Sequence, residues 1–174
     1  MHSDSTPNRT TSRQSPIIWT AILLIAAAAR LYHLQTPSLW FDEGWSAHAA
    51  SQPSLQAAAA ADATNPPLYY TVLHAAARGF GTSELALRWV SALFGLLIIP
   101  LSYRLTRRLF DTQLGQRAGV YAGLLAATTP LLWWASQEAR MYTLLAVLVL
   151  VAATAWHTLI KRPSRGAWLA LWLA

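Results

Sequence analysis

Apolar residues along this chain gather into long runs divided by short polar stretches, the pattern of helices that cross a bilayer. The first run, residues 16–34 (PIIWTAILLIAAAARLYHL), would reach roughly 28 Å as a helix at ~1.5 Å per residue, about one hydrocarbon core. A cleaved signal peptide would also set an apolar stretch behind a charged tail. The length of the run and the further runs behind it favour a retained anchor. Residues 84–103, 118–134 and 141–160 predict three more spans, with Pro100 placed to kink the second. Residues 166–174 open a fifth apolar run, but nine positions cannot cross a bilayer. The chain therefore reads as the N-terminal piece of a longer protein, ending in a truncated fifth span. Residues 1–15 are polar and rich in Ser and Thr, and predict a disordered tail. Residues 35–82 mix Pro, Trp, Asp and an alanine tract, and predict an extramembrane loop carrying interfacial helices. The fold class that follows is an all-α integral membrane protein.

Composition changes the picture little and charge changes it more. Of 174 residues 55% are apolar or aromatic and 11% are charged, under half the roughly 25% of a soluble domain. Most soluble enzymes and disordered chains are excluded. The absence of cysteine removes any disulfide, thiolate nucleophile or Cys-based metal site. Thirteen basic residues against seven acidic ones give +6, which in a soluble protein would suggest nucleic acid. Here the cations sit at the ends of apolar runs, so topology explains them and no nucleic-acid partner is expected. With the N-terminus in the cytoplasm, Arg9, Arg13, Arg104, Arg107, Arg108, Arg117, Lys161, Arg162 and Arg165 lie inside. Only Arg30, Arg78, Arg88 and Arg140 fall at the outer side. The prediction is a multi-pass protein with a cytoplasmic N-terminus and the 35–82 loop outside.

Candidate chemistry gathers in three outer segments. In WFDEGWS, Asp42 and Glu43 lie between tryptophans that favour the headgroup level. Carboxylates held there lose hydration, which raises their pKa and suits them to act as a general base or to ligate a divalent metal. Equally, both are acids in the first turn of a helix, stabilised by its dipole. In NPPLYY, Asn65 suits an N-cap, and Pro66 and Pro67 suit the first helical positions, where no N–H is required. The prolines would present Tyr69 and Tyr70 with little freedom. His74 shares their face and either binds or packs, packing being the commoner fate. Glu84 fits a dipole role as readily as a metal role. In SQEARMY, Arg140 at the membrane surface must be paired or reach headgroups. Its planar fork suits a lipid phosphate, while an internal pair of Glu138 with Arg140 or Arg88 is the equal alternative.

Together WFDEGWS, NPPLYY and SQEARMY, in this order and around these spans, resemble the start of the GT-C glycosyltransferases. The type is that of the bacterial protein mannosyltransferases and aminoarabinose transferases (family 39-like). The resemblance runs from about residue 30 to 160. It implies the first helices of a GT-C type bundle in the plasma (inner) membrane. It further implies an enzyme that moves a hexosyl or pentosyl group from a polyprenyl-phosphate donor to an acceptor on the extracytoplasmic face. Asp42 would be the catalytic base or orient the acceptor hydroxyl, with Glu43 in support. Pro66, Pro67, Tyr69 and Tyr70 would shape the sugar-phosphate site, and Glu138, Arg140 and Tyr142 would serve the donor, Arg140 at its phosphate. Some members use a divalent metal, for which Asp42, Glu84 and Glu138 are the available acids, short of a complete ligand set. The expected partners are the lipid-linked donor, an acceptor left open and membrane lipids, and the 174 residues alone are expected to be inactive. The alternative is a multi-spanning transporter or flippase of lipid-linked substrates, which would place polar groups at the bilayer midplane rather than at the outer ends of spans.

Overall fold

The computed structural model describes residues 16–110 and 112–174, and all regular structure among them is helical. The tail expected over residues 1–15 lies outside the described residues. The first apolar run forms α1 (Pro16–Leu31), and the expected loop folds into α2 (Phe41–Ala50), α3 (Leu55–Ala59) and α4 (Pro67–Phe80). Next come α5 (Glu84–Leu109), α6 (Thr112–Thr128), α7 (Pro130–Gln137), α8 (Tyr142–Lys161) and α9 (Arg165–Leu173). Two of these, α5 and α8, are long and apolar enough to cross a membrane, while α1 is apolar but shorter.

Helix α5 is the axis of the bundle, packed against α1, α4, α6, α7 and α8. It begins where Ser83 accepts the Ala86 amide at 3.3 Å, with Glu84 in its positive first turn. One core joins α1, α5, α6 and α8 through Ala26, Ile98, Ile99, Ala126 and Val147. A second lies at the other end of α5, where α2 and α4 close over it through Ala49, Tyr69, Tyr70, Leu73 and Leu87. His74 belongs to this second core: it is buried, and its Nδ1 lies 3.1 Å from the Ala50 carbonyl. Packing is the role it takes.

Two helix boundaries differ from the sequence reading. Pro100 does not interrupt α5, which runs to Leu109. The run at 118–134 is instead split before Pro130, into the end of α6 and most of α7. Thr128 and Thr129 hydroxyls bond back to the Leu124 and Leu125 carbonyls at 2.9 and 2.6 Å, closing the end of α6. The Ala126 carbonyl would next meet the nitrogen of residue 130, and proline has no N–H to give it. Arg30 supplies the missing donor. Its Nη2 reaches Ala126 O at 2.9 Å, its Nη1 reaches Ala127 O at 3.2 Å, and its Nε donates to Ser136 Oγ at 3.2 Å. In return Gln137 donates to the Arg30 and Tyr32 carbonyls at the end of α1, at 3.3 and 2.9 Å. The exchange locks α1 to the α6–α7 break and sets where residues 138–140 begin.

Candidate active site

The three motif segments converge where α2, α4 and α5 meet the short link between α7 and α8. Asp42 and Glu43 open α2, and one residue of offset gives them opposite surroundings. Glu43 is fully buried. Its Oε1 accepts Arg88 Nε at 2.8 Å and the Ala139 amide at 2.7 Å. Its Oε2 accepts Arg88 Nη2 at 2.6 Å and the Trp40 amide at 3.4 Å, the acidic half of a capping box. Burial pushes the Glu43 carboxyl up, but the Arg88 hydrogen bonds, the Ala139 amide and the Arg88 charge outweigh it, so the net shift is downward. For Glu43 this reverses the upward shift expected from lost hydration. Arg88 completes its shell on the Leu34, Pro37 and Ser38 carbonyls at 3.0, 2.7 and 3.2 Å, which folds the link after α1 around it.

Asp42 stands apart from this network. It is half-buried, and among the described residues no hydrogen bond ends on its carboxylate. Its own backbone carbonyl accepts Arg140 Nη1 at 3.1 Å. The Asp42 charge is close enough to act on both Arg140 and Glu138.

Arg140 is the hub. It is 6% exposed, and Nη1 also donates to the Tyr70 hydroxyl at 3.2 Å. That hydroxyl donates in turn to Asp62 Oδ2 at 2.7 Å. Tyr69 supports the same residue from behind: its hydroxyl lies 2.9 Å from Ser91 Oγ, which donates to the Arg140 carbonyl at 3.0 Å. Both tyrosines are therefore buried, and each reaches Arg140 by a different route. Tyr142 lies close enough to act electrostatically on the guanidinium, and its ring stacks on Trp134. Burial favours the neutral form of Arg140, yet Tyr70, Tyr142 and the Asp42 charge hold its pKa above the ordinary value. Among the described residues Arg140 Nε, which is buried, has no hydrogen-bond partner. Burial and the bond to Asp62 push the Tyr70 hydroxyl up to about 12, so it stays protonated and donates its hydrogen bond to Asp62.

Other expected residues fall nearby in altered roles. Pro66 is the N-cap of α4 and Pro67 its first residue. Asn65 does not cap; it donates to Asp62 Oδ2 at 2.8 Å, and Thr64 donates its amide and hydroxyl to Oδ1 at 2.8 and 2.5 Å. These bonds hold the Asp62 carboxyl well below the usual carboxylate range. Glu138 accepts the Trp40 indole N–H, and its pKa is raised, by burial first and by the nearby Glu43 charge. Residues 138–140 form a tight turn closed by the Arg140 amide on the Glu138 carbonyl at 2.7 Å. The internal pair weighed for Arg88 is thus made with Glu43 and not with Glu138. Among the described residues no three His, Asp or Glu side chains converge as a metal would require, so Asp42, Glu84 and Glu138 do not make one site.

The sequence reading missed Asp62, Ser91 and Arg88 as parts of this site. Arg88 was legible in principle, because a guanidinium inside an apolar span demands a buried partner. Asp62 heads D-x-T-N, a turn-forming string whose side chain bonds the backbone two residues on.

No curated protein and no solved structure matches the chain. The family profile described as dolichyl-phosphate-mannose-protein mannosyltransferase matches residues 64–174, which include NPPLYY and SQEARMY and leave WFDEGWS upstream. On that match, spanning well over half its length, the chain belongs to the dolichyl-phosphate-mannose-protein mannosyltransferase family of glycosyltransferases.

Proposed function

We propose that this protein transfers a sugar from a polyprenyl-phosphate donor to an acceptor hydroxyl on the extracytoplasmic face of the membrane. The family supplies the reaction class, sugar transfer of the mannosyltransferase type from a lipid-linked donor. The observation that carries the assignment of roles is the pairing of an unengaged Asp42 carboxylate with a buried, permanently charged Arg140. In the reaction the acceptor oxygen bonds to the anomeric carbon, the bond from that carbon to the phosphate oxygen breaks, and the phosphate leaves with the electron pair. The Asp42 carboxylate takes the acceptor proton. Arg140 offers the departing phosphate a fixed cation in a site partly shielded from water, where such stabilisation is strongest. Tyr70 holds the guanidinium, and Tyr69, through Ser91, holds the Arg140 backbone before substrate arrives. Glu43 is a positioning residue, because all its hydrogen bonds run to protein groups. Pro66 and Pro67 start α4 where Tyr69 and Tyr70 face inward.

The test uses membranes carrying the full gene product and a labelled sugar presented on polyprenyl phosphate or as a nucleotide sugar. Label should pass to acceptor from the first and not from the second; transfer from the nucleotide sugar alone would refute the donor class. Asp42→Asn should lower turnover by about 10²–10⁴, the usual range for general-base help, with expression unchanged. Arg140→Ala should weaken donor binding more than Asp42→Asn does, and equal donor affinity in wild type and Arg140→Ala would remove its phosphate role.

A further inference from the structure

At the end of α5 far from this site the structure has a second polar feature. Arg88 and Arg108 are twenty residues apart on one helix, about 30 Å at 1.5 Å per residue. The fifteen residues from Trp89 to Tyr103 carry no charge. Helix α8 repeats the pattern, with Arg140 just before it and Lys161 at its end. Both long helices therefore hold cations one bilayer thickness apart, and the cations at the far end lie beside two adjoining cavities.

The first cavity, about 340 Å³, lies between α5, α8 and α9. Its lining divides by chemistry. Arg104 and Arg108 stand at one side, and Leu101, Val151, Ala155 and Ala170 form an apolar wall. The second, about 330 Å³, shares Arg108 and Thr158 with the first and adds His157, Lys161 and Arg162. Among the described residues no carboxylate lines either cavity. Arg108 is oriented by Thr158, whose Oγ1 accepts its Nη1 at 3.4 Å. The threonine hydroxyls are already committed as donors, Thr154 to Leu150 O and Thr158 to Thr154 O at 2.7 and 2.8 Å. The charged donors for a bound anion are then the guanidinium and ammonium groups, with the Ser164 hydroxyl and the His157 ring as neutral ones.

We propose that this cleft binds an anionic phospholipid, its phosphate among Arg104, Arg108 and Lys161 and an acyl chain along the apolar wall between α5, α8 and α9. A bare phosphate would use the cations and leave the apolar wall wet. A zwitterionic phospholipid would use the wall, but its own ammonium group offsets the phosphate charge that the cations would bind. A lipid with net negative headgroup charge satisfies both, which is how basic pockets between membrane helices select anionic lipids. The proposal rests on α5 and α8 crossing the membrane and is independent of the chemistry assigned to Asp42 and Arg140.

The experiment releases the intact protein from nanodiscs of equal phosphatidylglycerol and phosphatidylcholine and counts retained lipids by native mass spectrometry. Wild type should keep phosphatidylglycerol in preference. The Arg104→Gln, Arg108→Gln double variant should keep about thirtyfold less, as expected for two cations beside an anionic surface. The Arg104→Lys, Arg108→Lys pair should retain it, separating charge from any loss of packing. Inorganic phosphate at tens of millimolar should not displace the lipid. Equal retention of the two lipids, no change in the glutamine pair, or loss in the lysine pair would each overturn the proposal. Displacement by phosphate would do the same and mark a site for the free anion. Failure of the protein to enter nanodiscs would instead refute the membrane-spanning reading of α5 and α8.

Discussion

One residue of offset, about 100° around a helix, separates Asp42 from Glu43; it leaves one carboxylate half-buried and sends the other into the core. Removing one partner of a buried, fully bonded pair leaves an uncompensated charge, which costs about 3–5 kcal/mol. Glu43→Gln should therefore lower the thermal unfolding midpoint in detergent strongly at pH 7. The carboxyl is held below its ordinary value of 4.5. Its contribution is fully present above that pH and is lost as pH falls through the depressed folded value. The gap between wild type and Glu43→Gln should accordingly narrow in acid; a gap constant with pH would show that the ion pair is not its source. Asp42→Asn should leave the midpoint close to wild type, since no hydrogen bond among the described residues ends on that carboxylate. Neighbouring acids with unlike environments explain why the pair read ambiguously from sequence: spacing placed both in a first turn, and only packing tells them apart.

At the scale of the element, the break between α6 and α7 organises the bundle. It frees carbonyls that Arg30 takes up, and it turns Ser136 toward Arg30. Gly95 of α5 makes room for that contact, because a Cβ there would overlap Ser136 Oγ. Gly95→Ala should thus destabilise by about 1–3 kcal/mol, typical of overpacking, read as a lower midpoint in detergent; an unchanged midpoint would mean the Arg30–Ser136 contact yields without cost. Hydrophobic runs located α1, α5 and α8 well, because a long apolar helix needs only composition to be recognised. They could not show that Thr128, Thr129 and Pro130 end a helix inside such a run, since Pro100 sits in a similar run and ends nothing. What differs is Arg30, a donor 96 residues earlier in the chain that reaches the freed carbonyl. Likewise the motif strings were legible, while the Asp62–Tyr70–Arg140 and Tyr69–Ser91–Arg140 links were not, because each joins residues from separate helices.

Across the whole molecule, the bundle carries a polar network at one end of α5 and a cation-lined cleft at the other. The positive-inside pattern predicts which end faces the cytoplasm. Since the chain has no cysteine, single cysteines report without background. Ser54→Cys, exposed between α2 and α3, should react with an impermeant thiol reagent added outside sealed cells, whereas Gln113→Cys, exposed near the start of α6, should react only after permeabilisation. The reverse pattern would invert the topology and move the proposed reaction to the cytoplasmic face. The four-bonded Glu43 also bears on biosynthesis. Its partners Arg88 and Ala139 leave the ribosome 45 and 96 residues after it. At about 5–20 residues per second, a nascent chain carries this carboxylate without Arg88 for several seconds, and without the Ala139 amide for about twice as long. Arg140 follows Ala139 by one residue, so the buried cation and the last partner of Glu43 emerge together. The shell around Glu43 thereby closes only once the α7–α8 link has been translated.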